Sequence, residues 1–447
     1  MLQGILILLL MLVIMGLMVT RKMPTVLALF VLAVGICLIG GVPAVATDAD
    51  GNAIGFLQAV IQAGALRLGD PIMVAIFAGW LGMVMEKTRI SETMIKKGAE
   101  LGGDKTLIVT LVLFIIASIL FSVVNGLGTV IMVGTIVIPI LVSVGVDKFT
   151  ASAVMLFSYC VGNNVNLSNV NAIGAILGTS FDDTFLIQAI CAAGAFVSGI
   201  IFFVVRCKKV GRKFAFSAPV GETEDDVYQI KGIMGGLAMI TPLIPLILVI
   251  GFKFPLIISF MIAIVWACIF TSLKAGWSRS MNMLTKTLFD GFSATAPSAM
   301  LMIGIGMLLL AINQPSVKTS LEPIMRVVTP NGLVSFLLFF IVLAPLCLYR
   351  GPLNLWGLGA GIAALMVGMN ILPVNAVMGG FASVSVMQLL CCPTNTHNVW
   401  VTSYTGEEVT SVTKRLLPWI WPVVIVGVVV SAVMWLSLIH ISEPTRH

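Results

Sequence analysis

Two series of seven apolar runs, each about the length of a membrane crossing, leave this chain few places to fold. A helix needs about 20 apolar residues to cross the hydrocarbon of a bilayer. The first series covers 2–20, 24–42, 70–86, 106–124, 129–146, 150–178 (with a polar interruption) and 184–205. A polar stretch follows at 206–231, holding KKVGRK and then the acidic GETEDD. The second series covers 232–251, 254–273, 294–312, 333–348, 353–370, 373–402 (interrupted) and 416–436. Only 10% of the 447 residues are charged and 59% are hydrophobic, against roughly 25% charged in an average soluble domain. That is too little charge to wet a surface of this size, which excludes a cytosolic enzyme, a nucleic-acid-binding domain and a disordered chain. The net charge of +6 sits in short Lys/Arg clusters between apolar runs, a pattern of a cytoplasmic membrane face and not of a nucleic-acid partner. The fold expected is an all-α polytopic membrane protein embedded in a lipid bilayer.

The eight cysteines are scattered without a C-x-x-C and mostly fall inside apolar runs, so they give no disulfide or zinc framework. No cleavable signal pattern opens the chain, because Arg21 and Lys22 come after the first run. Residues 436–447 (LSLIHISEPTRH) resemble the translation of a sequencing-library adapter and are set aside as a non-native tail. Without them His397 is the one histidine.

The two series read as a duplication. Lys22-x-Pro24 with Cys37 recurs as Lys253-x-Pro255 with Cys268; Gly64, Pro71 and Gly82 recur as Gly291, Pro297 and Gly306; Gly128, Gly145 and Ala153 recur as Gly351, Gly368 and Ala376. Residues 1–205 form the first repeat, 206–231 a cytoplasmic linker and 232–435 the second repeat. With an odd number of crossings per half, the second repeat is inverted and the N-terminus lies outside. Nineteen Lys and Arg then face the cytoplasm and four (Arg67, Lys253, Lys318, Arg326) face outward, with Arg350 left in an apolar stretch. A same-orientation repeat would contradict the charge bias of the loops after the second and third spans of each half.

Two places in each half break the helical pattern. One is the tip between paired apolar arms, Asn125-Gly126-Leu127-Gly128-Thr129 and Arg350-Gly351-Pro352-Leu353-Asn354. The other is a polar interruption, Asn163, Asn164, Asn166, Ser168 and Asn169 in the first half and Thr394, Asn395, Thr396, His397 and Asn398 in the second. Asn and Gly are poor helix formers and Pro stops helices. Unwound backbone at membrane depth belongs where it is buried or lines a wet cavity. Each repeat is therefore expected to hold about five transmembrane helices, one of them broken, plus a re-entrant helical hairpin. Half-helix N-termini suit an anion, and half-helix C-termini with amide oxygens suit Na⁺, with Asn125, Asn163 and Asn395 as candidate neighbours of that ion. The alternative for the tips is an ordinary surface loop, since the first pair of arms is long enough to cross. Arg350 has no acid nearby in sequence, and its planar fork suits a carboxylate. His397 could pass a proton or donate to substrate, or simply pack. Asp70, Glu86, Asp147 and Asp290 lie at expected span ends and read as interfacial caps before proton carriers. Residues 89–103 read as a surface helix on the cytoplasmic side.

The run GDPIMVAIFAGWLG, then ELGGDK, then NGLGTVIMVGTIVIPILVSVG, with the late RGPLNLWG, resembles the ion transporter superfamily, nearest its gluconate-permease and citrate-transporter branches. The resemblance runs to about Trp435 and rests on the order of these segments. It implies inverted repeats that move organic anions with H⁺ or Na⁺, and often homodimers. By position it maps the hairpin tips to Asn125–Thr129 and Arg350–Asn354, and the broken-helix motifs to Asn163–Asn169 and Thr394–Asn398. Of the Ser-Asn-Thr triplets typical of the dicarboxylate branch, only Thr394-Asn395-Thr396 comes close.

The expected function is a secondary active transporter of small carboxylates such as gluconate, citrate or C4-dicarboxylates, working by alternating access in a bacterial-type inner membrane. No cofactor is expected beyond the coupling ion. A Na⁺/H⁺ antiporter of the same superfamily is the alternative; it would favour a mid-span Asp or Glu, and the sequence shows none at membrane depth. An enzyme would need a nucleophile–base pair or metal ligands, which one histidine without a buried acid does not supply.

Overall fold

The computed structural model describes residues 2–20, 22–47, 54–103, 105–207, 232–271 and 276–436. Most of the 206–231 linker and all but Leu436 of the 436–447 tail lie outside the described residues. All the secondary-structure elements of the described residues are helical, as a bilayer that cannot hydrogen-bond an open backbone requires. The chain is a multi-pass membrane protein.

The first half runs α1 (Leu2–Val19), α2 (Thr25–Ile39), a long span Leu57–Lys87 made of a π-helical turn (Leu57–Gln62), α3 (Ala63–Arg67) and α4 (Gly69–Lys87), then the short α5 (Ile90–Gly102). A hairpin follows, α6 (Thr106–Phe121) and α7 (Leu127–Ser143), then a broken helix, α8 (Lys148–Asn164) and α9 (Leu167–Leu177), and α10 (Phe181–Cys207). The second half repeats this order: α11 (Gly232–Ala238) and α12 (Leu243–Leu246), α13 (Leu256–Thr271), the long α14 (Trp277–Ile312), and α15 (Pro315–Val328). Then come a hairpin of α16 (Leu333–Val342) and α17 (Gly359–Gly368), a broken helix of α18 (Val374–Cys391) and α19 (Thr396–Thr405), and α20 (Val409–Trp435).

Corresponding helices of the two halves run antiparallel. In the long pair, Gly64 meets Gly306 and Gly79 meets Gly291, so numbers rise along one helix as they fall along the other. A Cβ on Gly306 would stand 2.2 Å from the Gly64 carbonyl oxygen, so glycine is what lets these backbones touch. In the α10–α20 pair, Gly194 meets Val423, Ser198 donates to the Trp419 carbonyl (2.7 Å), and Gly427 sits against Cys191. Two equivalent pairs crossing in opposite directions are what an inverted duplication requires.

The second hairpin has short α-helical arms of 10 residues each, about 15 Å against the roughly 30 Å hydrocarbon core, as a re-entrant hairpin needs. A 3-10 turn (Ala344–Arg350) leads from α16 into the tip, and α15 meets α16 at 92°. The hairpins hold α8 and α18 in the centre, where every residue of 149–164 and of 376–391 is buried. That explains why these two read as continuous apolar runs with no polar face.

Three spans begin earlier than their apolar runs. The long helices start at Leu57 and Trp277, not at 70 and 294, and α20 starts at Val409, not at 416. Polar residues such as Gln58, Arg279 and Lys286 continue the helix beyond its most apolar window. As a result Asp290 lies inside a long helix and not at a span end, which corrects its reading as a cap, whereas Asp70 stands in the first turn of α4, just after the break at Leu68. Asp147 is a cap: its carboxylate accepts from the Thr150 N–H (3.1 Å) and hydroxyl (2.6 Å) at the start of α8.

Candidate functional site

The two helix breaks are built alike. Each second half-helix opens on an asparagine in extended backbone, Asn166 before α9 and Asn395 before α19, 229 positions apart. Three residues further on, Asn169 donates its amide to the Asn163 carbonyl (3.1 Å), and Asn398 donates to the Cys392 carbonyl (3.0 Å). The acceptors are also 229 apart. In both halves, then, a side-chain amide ties the second half-helix to a carbonyl that the break has freed.

The second break is the more heavily capped. The Gln388, Leu389, Leu390 and Cys391 carbonyls at the end of α18 accept from Asn395, His397, Asn398 and Thr413 at 2.9, 2.9, 3.2 and 2.7 Å. Since a carbonyl only accepts, Nε2 of His397 carries the hydrogen and Nδ1 keeps its lone pair. The Asn395 amide is used up between the Gln388 side chain and carbonyl. Thr394 faces the Cys392 thiol (3.1 Å), and Thr396 is exposed. At the first break Asn164 donates to the Cys160 carbonyl (2.7 Å). Asn166 caps the Ser168 and Asn169 N–H groups and reaches the Phe121 carbonyl at the end of α6.

The hairpin tips meet these breaks through a residue that the sequence did not flag, Tyr159 on α8. Its hydroxyl donates to Asn125 Oδ1 (2.6 Å), and its ring stacks on His397 with centroids 4.0 Å apart. Asn125 Oδ1 also accepts from the Gly126 N–H (2.7 Å), so it already holds two donors. Gly126 has a φ of 103°, which favours glycine at this turn, whereas Gly128 has open space around it. Thr129 is buried at the start of α7, with its hydroxyl 3.4 Å from the Asn125 carbonyl.

At the second tip, Tyr349 and Arg350 both sit in left-handed backbone. Asn354 organises the loop by donating to the Cys347 carbonyl (3.0 Å) and accepting from the Trp356 N–H (2.9 Å). Gly351 packs so closely that a Cβ would stand 2.2 Å from the Leu346 carbonyl oxygen. Arg350 donates one bond, from Nη1 to the Trp356 carbonyl (2.9 Å), and has no acidic partner among the described residues. Its charge lies within electrostatic reach of Tyr159 and His397. The structure thus joins Asn125 and His397 through Tyr159, next to the first break, with the Arg350 charge in electrostatic range. Asn354, Asn395 and Asn166 serve the local architecture.

Four buried amide atoms at the breaks have no partner: Asn163 Oδ1, Gln188 Nε2, Gln388 Oε1 and Asn398 Oδ1. Neither glutamine stood out in the sequence, because each is a lone polar residue inside an apolar run. No group of three or more His, Cys, Asp or Glu that could hold a metal occurs among the described residues.

No protein-family model matches this chain, and no curated protein matches its sequence. Its fold is similar to that in the crystal structure of the Alcanivorax borkumensis YdaH transporter, described as having an unusual topology. The TM-score is 0.58, over 93% of this chain and 98% of that one, at 12% sequence identity. At that identity the likeness is one of fold: this chain has the fold of a membrane transporter.

Proposed function

We propose that this protein is a secondary active transporter of small organic anions, carboxylates such as gluconate, citrate or C4-dicarboxylates, coupled to H⁺ or Na⁺ by alternating access. The observation that carries the reading is Arg350, a guanidinium at the second hairpin tip whose remaining donors have no protein partner among the described residues. A buried or half-buried Arg without a counter-ion is costly unless it meets an anion, and its fork fits a carboxylate. Buried amide oxygens without donors at the second break, Gln388 Oε1 and Asn398 Oδ1, support Na⁺ as the coupling ion. The fold shared with a transporter, together with the paired breaks, favours transport over catalysis.

The same proposal places the first repeat at 1–205 and the second at 232–435, in a bacterial-type inner membrane with the N-terminus outside, as a homodimer. Salt bridges at the two ends of α10 support two separate faces. Arg206 pairs with Asp147 (3.0 Å) at one end and Asp182 with Lys253 (2.9 Å) at the other. The Lys/Arg bias assigns the Arg206 end to the cytoplasm. Cysteine labelling that placed positions 148 and 253 on one face would overturn the assignment.

Uptake by reconstituted protein tests the function. Arg350→Ala and Arg350→Lys should each lower carboxylate uptake by about tenfold or more, since a lost charge-assisted bond is worth roughly 1.5–3 kcal/mol. Unchanged uptake of every carboxylate would remove the anion site. A Na⁺/H⁺ antiporter is the second reading, favoured by Asp70 lying inside the long span within reach of Asn171 (3.1 Å). Proton release on adding Na⁺ without organic anion would select it.

A further inference from the structure

Gln188, on α10, is 1% exposed and sits beside the first break. Its amide orientation is fixed by its neighbours. Asn169 Nδ2 donates both to the Asn163 carbonyl and to Gln188 (3.1 and 3.3 Å), so Gln188 must turn its oxygen toward Asn169. The Nε2 donor is then left buried with nothing to give its hydrogens to. Asn163 (3% exposed), whose backbone carbonyl accepts from the same Asn169 amide, keeps a side-chain acceptor, Oδ1, without a donor. An unmade bond of either kind carries the full cost of desolvating the group, so native folds rarely leave one without a partner.

The duplication sharpens the point. Asn166, Asn169 and the clamped carbonyl all recur 229 positions later, yet the position matching Gln188 at that offset is Leu417, and its neighbour is Leu416. The second break leaves only oxygens unpaired, Gln388 Oε1 and Asn398 Oδ1. Only the first break offers a donor as well as an acceptor. Asn163 is one helical turn from Tyr159, whose hydroxyl is bonded to Asn125 at the first tip and whose ring lies against His397 of the second break.

We propose that Gln188 Nε2 and Asn163 Oδ1 form a subsite for a neutral substrate group that both accepts and donates, a hydroxyl, while Arg350 holds the carboxylate. The subsite rests on the carboxylate reading of Arg350 and makes Gln188 a specificity residue. A second carboxylate, an acceptor only, would answer Gln188 but oppose Asn163.

The test uses the full chain in detergent and ligand-induced thermal stabilisation by acid pairs that differ in hydroxyl groups: lactate and propionate, malate and succinate, gluconate and hexanoate. At least one hydroxy acid should bind roughly tenfold tighter than its deoxy partner, the value of one well-made neutral hydrogen bond. Gln188→Leu should bring that ratio to about one while leaving the deoxy acid's affinity unchanged; Gln188→Met, closer in shape, guards against a folding defect. Arg350→Ala should lose both members of the pair. Equal binding of the pairs by the natural chain, or a preference that survives both Gln188 variants, would overturn the subsite and leave the pair holding a buried water only. Binding of no carboxylate at all would overturn the Arg350 reading, and the subsite with it.

Discussion

Tyr159 shows at the scale of one residue what a sequence displays and what it hides. Arg350, His397 and the asparagine-rich 163–169 are conspicuous because polar groups inside apolar runs cost free energy unless they meet a partner. A tyrosine in such a run looks like packing, and its partners Asn125 and His397 are distant in sequence. Gln188 is hidden for the same reason. Tyr159→Phe keeps the stack on His397 and removes only the hydroxyl. It should leave thermal stability within about 1 kcal/mol, as hydrogen bonds in membrane proteins average roughly 0.6 kcal/mol. Uptake should fall, because the first tip loses the bond that ties it to α8. An unaltered uptake rate would make Tyr159 a packing residue. Asp147, at the loop end of α8, gives a pH effect. Burial raises its carboxyl pKa, but bonds from Thr150 and the charge of Arg206 outweigh that and hold it below the usual carboxylate range. A lowered pKa adds stability above the unfolded value, and that stability is lost as pH falls through the folded one. Acidification below about pH 4 should therefore destabilise the natural chain more than Asp147→Asn, read as melting temperature against pH.

Elements were legible where one physical rule governs them. Length and apolarity predicted the spans, and glycine and asparagine predicted the breaks, because the bilayer punishes any other arrangement of backbone. Their starts were less legible, since α14 keeps its helical bonds past the apolar window that defined the expected span. The clamps of Asn169 and Asn398 were invisible for a different reason: a side-chain bond six residues back depends on the angle of the break and not on spacing alone. The long antiparallel pair makes the sharpest prediction at this scale. Gly306→Leu would drive a side chain into the Gly64 backbone, which has no rotamer with which to yield. Overpacking of that kind costs about 1–3 kcal/mol or more, so the yield of monodisperse protein should fall. Gly128→Ala, with nothing within 4 Å of the added methyl, should purify like the natural chain. Equal yields for both would mean that the two long helices do not pack as closely as their glycines allow.

Across the whole molecule, the polar ties between elements are unevenly placed. Among the described residues, three side-chain hydrogen bonds join α1–α4 and α11–α14, with the loop ends that connect them, to the remaining helices. They are Asn171 to Asp70, Ser320 to Gln3, and Lys253 to Asp182, at 3.1, 3.2 and 2.9 Å. Lys253, Asp182 and Gln3 lie at the face that the charge bias makes external. At the opposite face the charged groups pair within one set of helices: Arg206 with Asp147, and Arg415 over the Phe149 ring at 3.4 Å. Helices tied across the seam at the face of Lys253 and Asp182 can part there only by breaking those bonds. Each is exposed and therefore weak, worth at most about 1 kcal/mol in water, as a contact that opens and closes in the proposed alternating access would need. A covalent tie in the same place should stop the cycle. Cysteines introduced at Lys253 and Asp182 should be joined by a short bis-methanethiosulfonate cross-linker, which spans the reach of the lost Lys and Asp side chains and is reversed by reduction, with little background because all eight native cysteines are buried. Uptake should then fall to the level of protein-free vesicles and return on reduction. Full cross-linking with undiminished uptake would show that this seam stays shut throughout transport, and that access alternates by movement elsewhere in the fold.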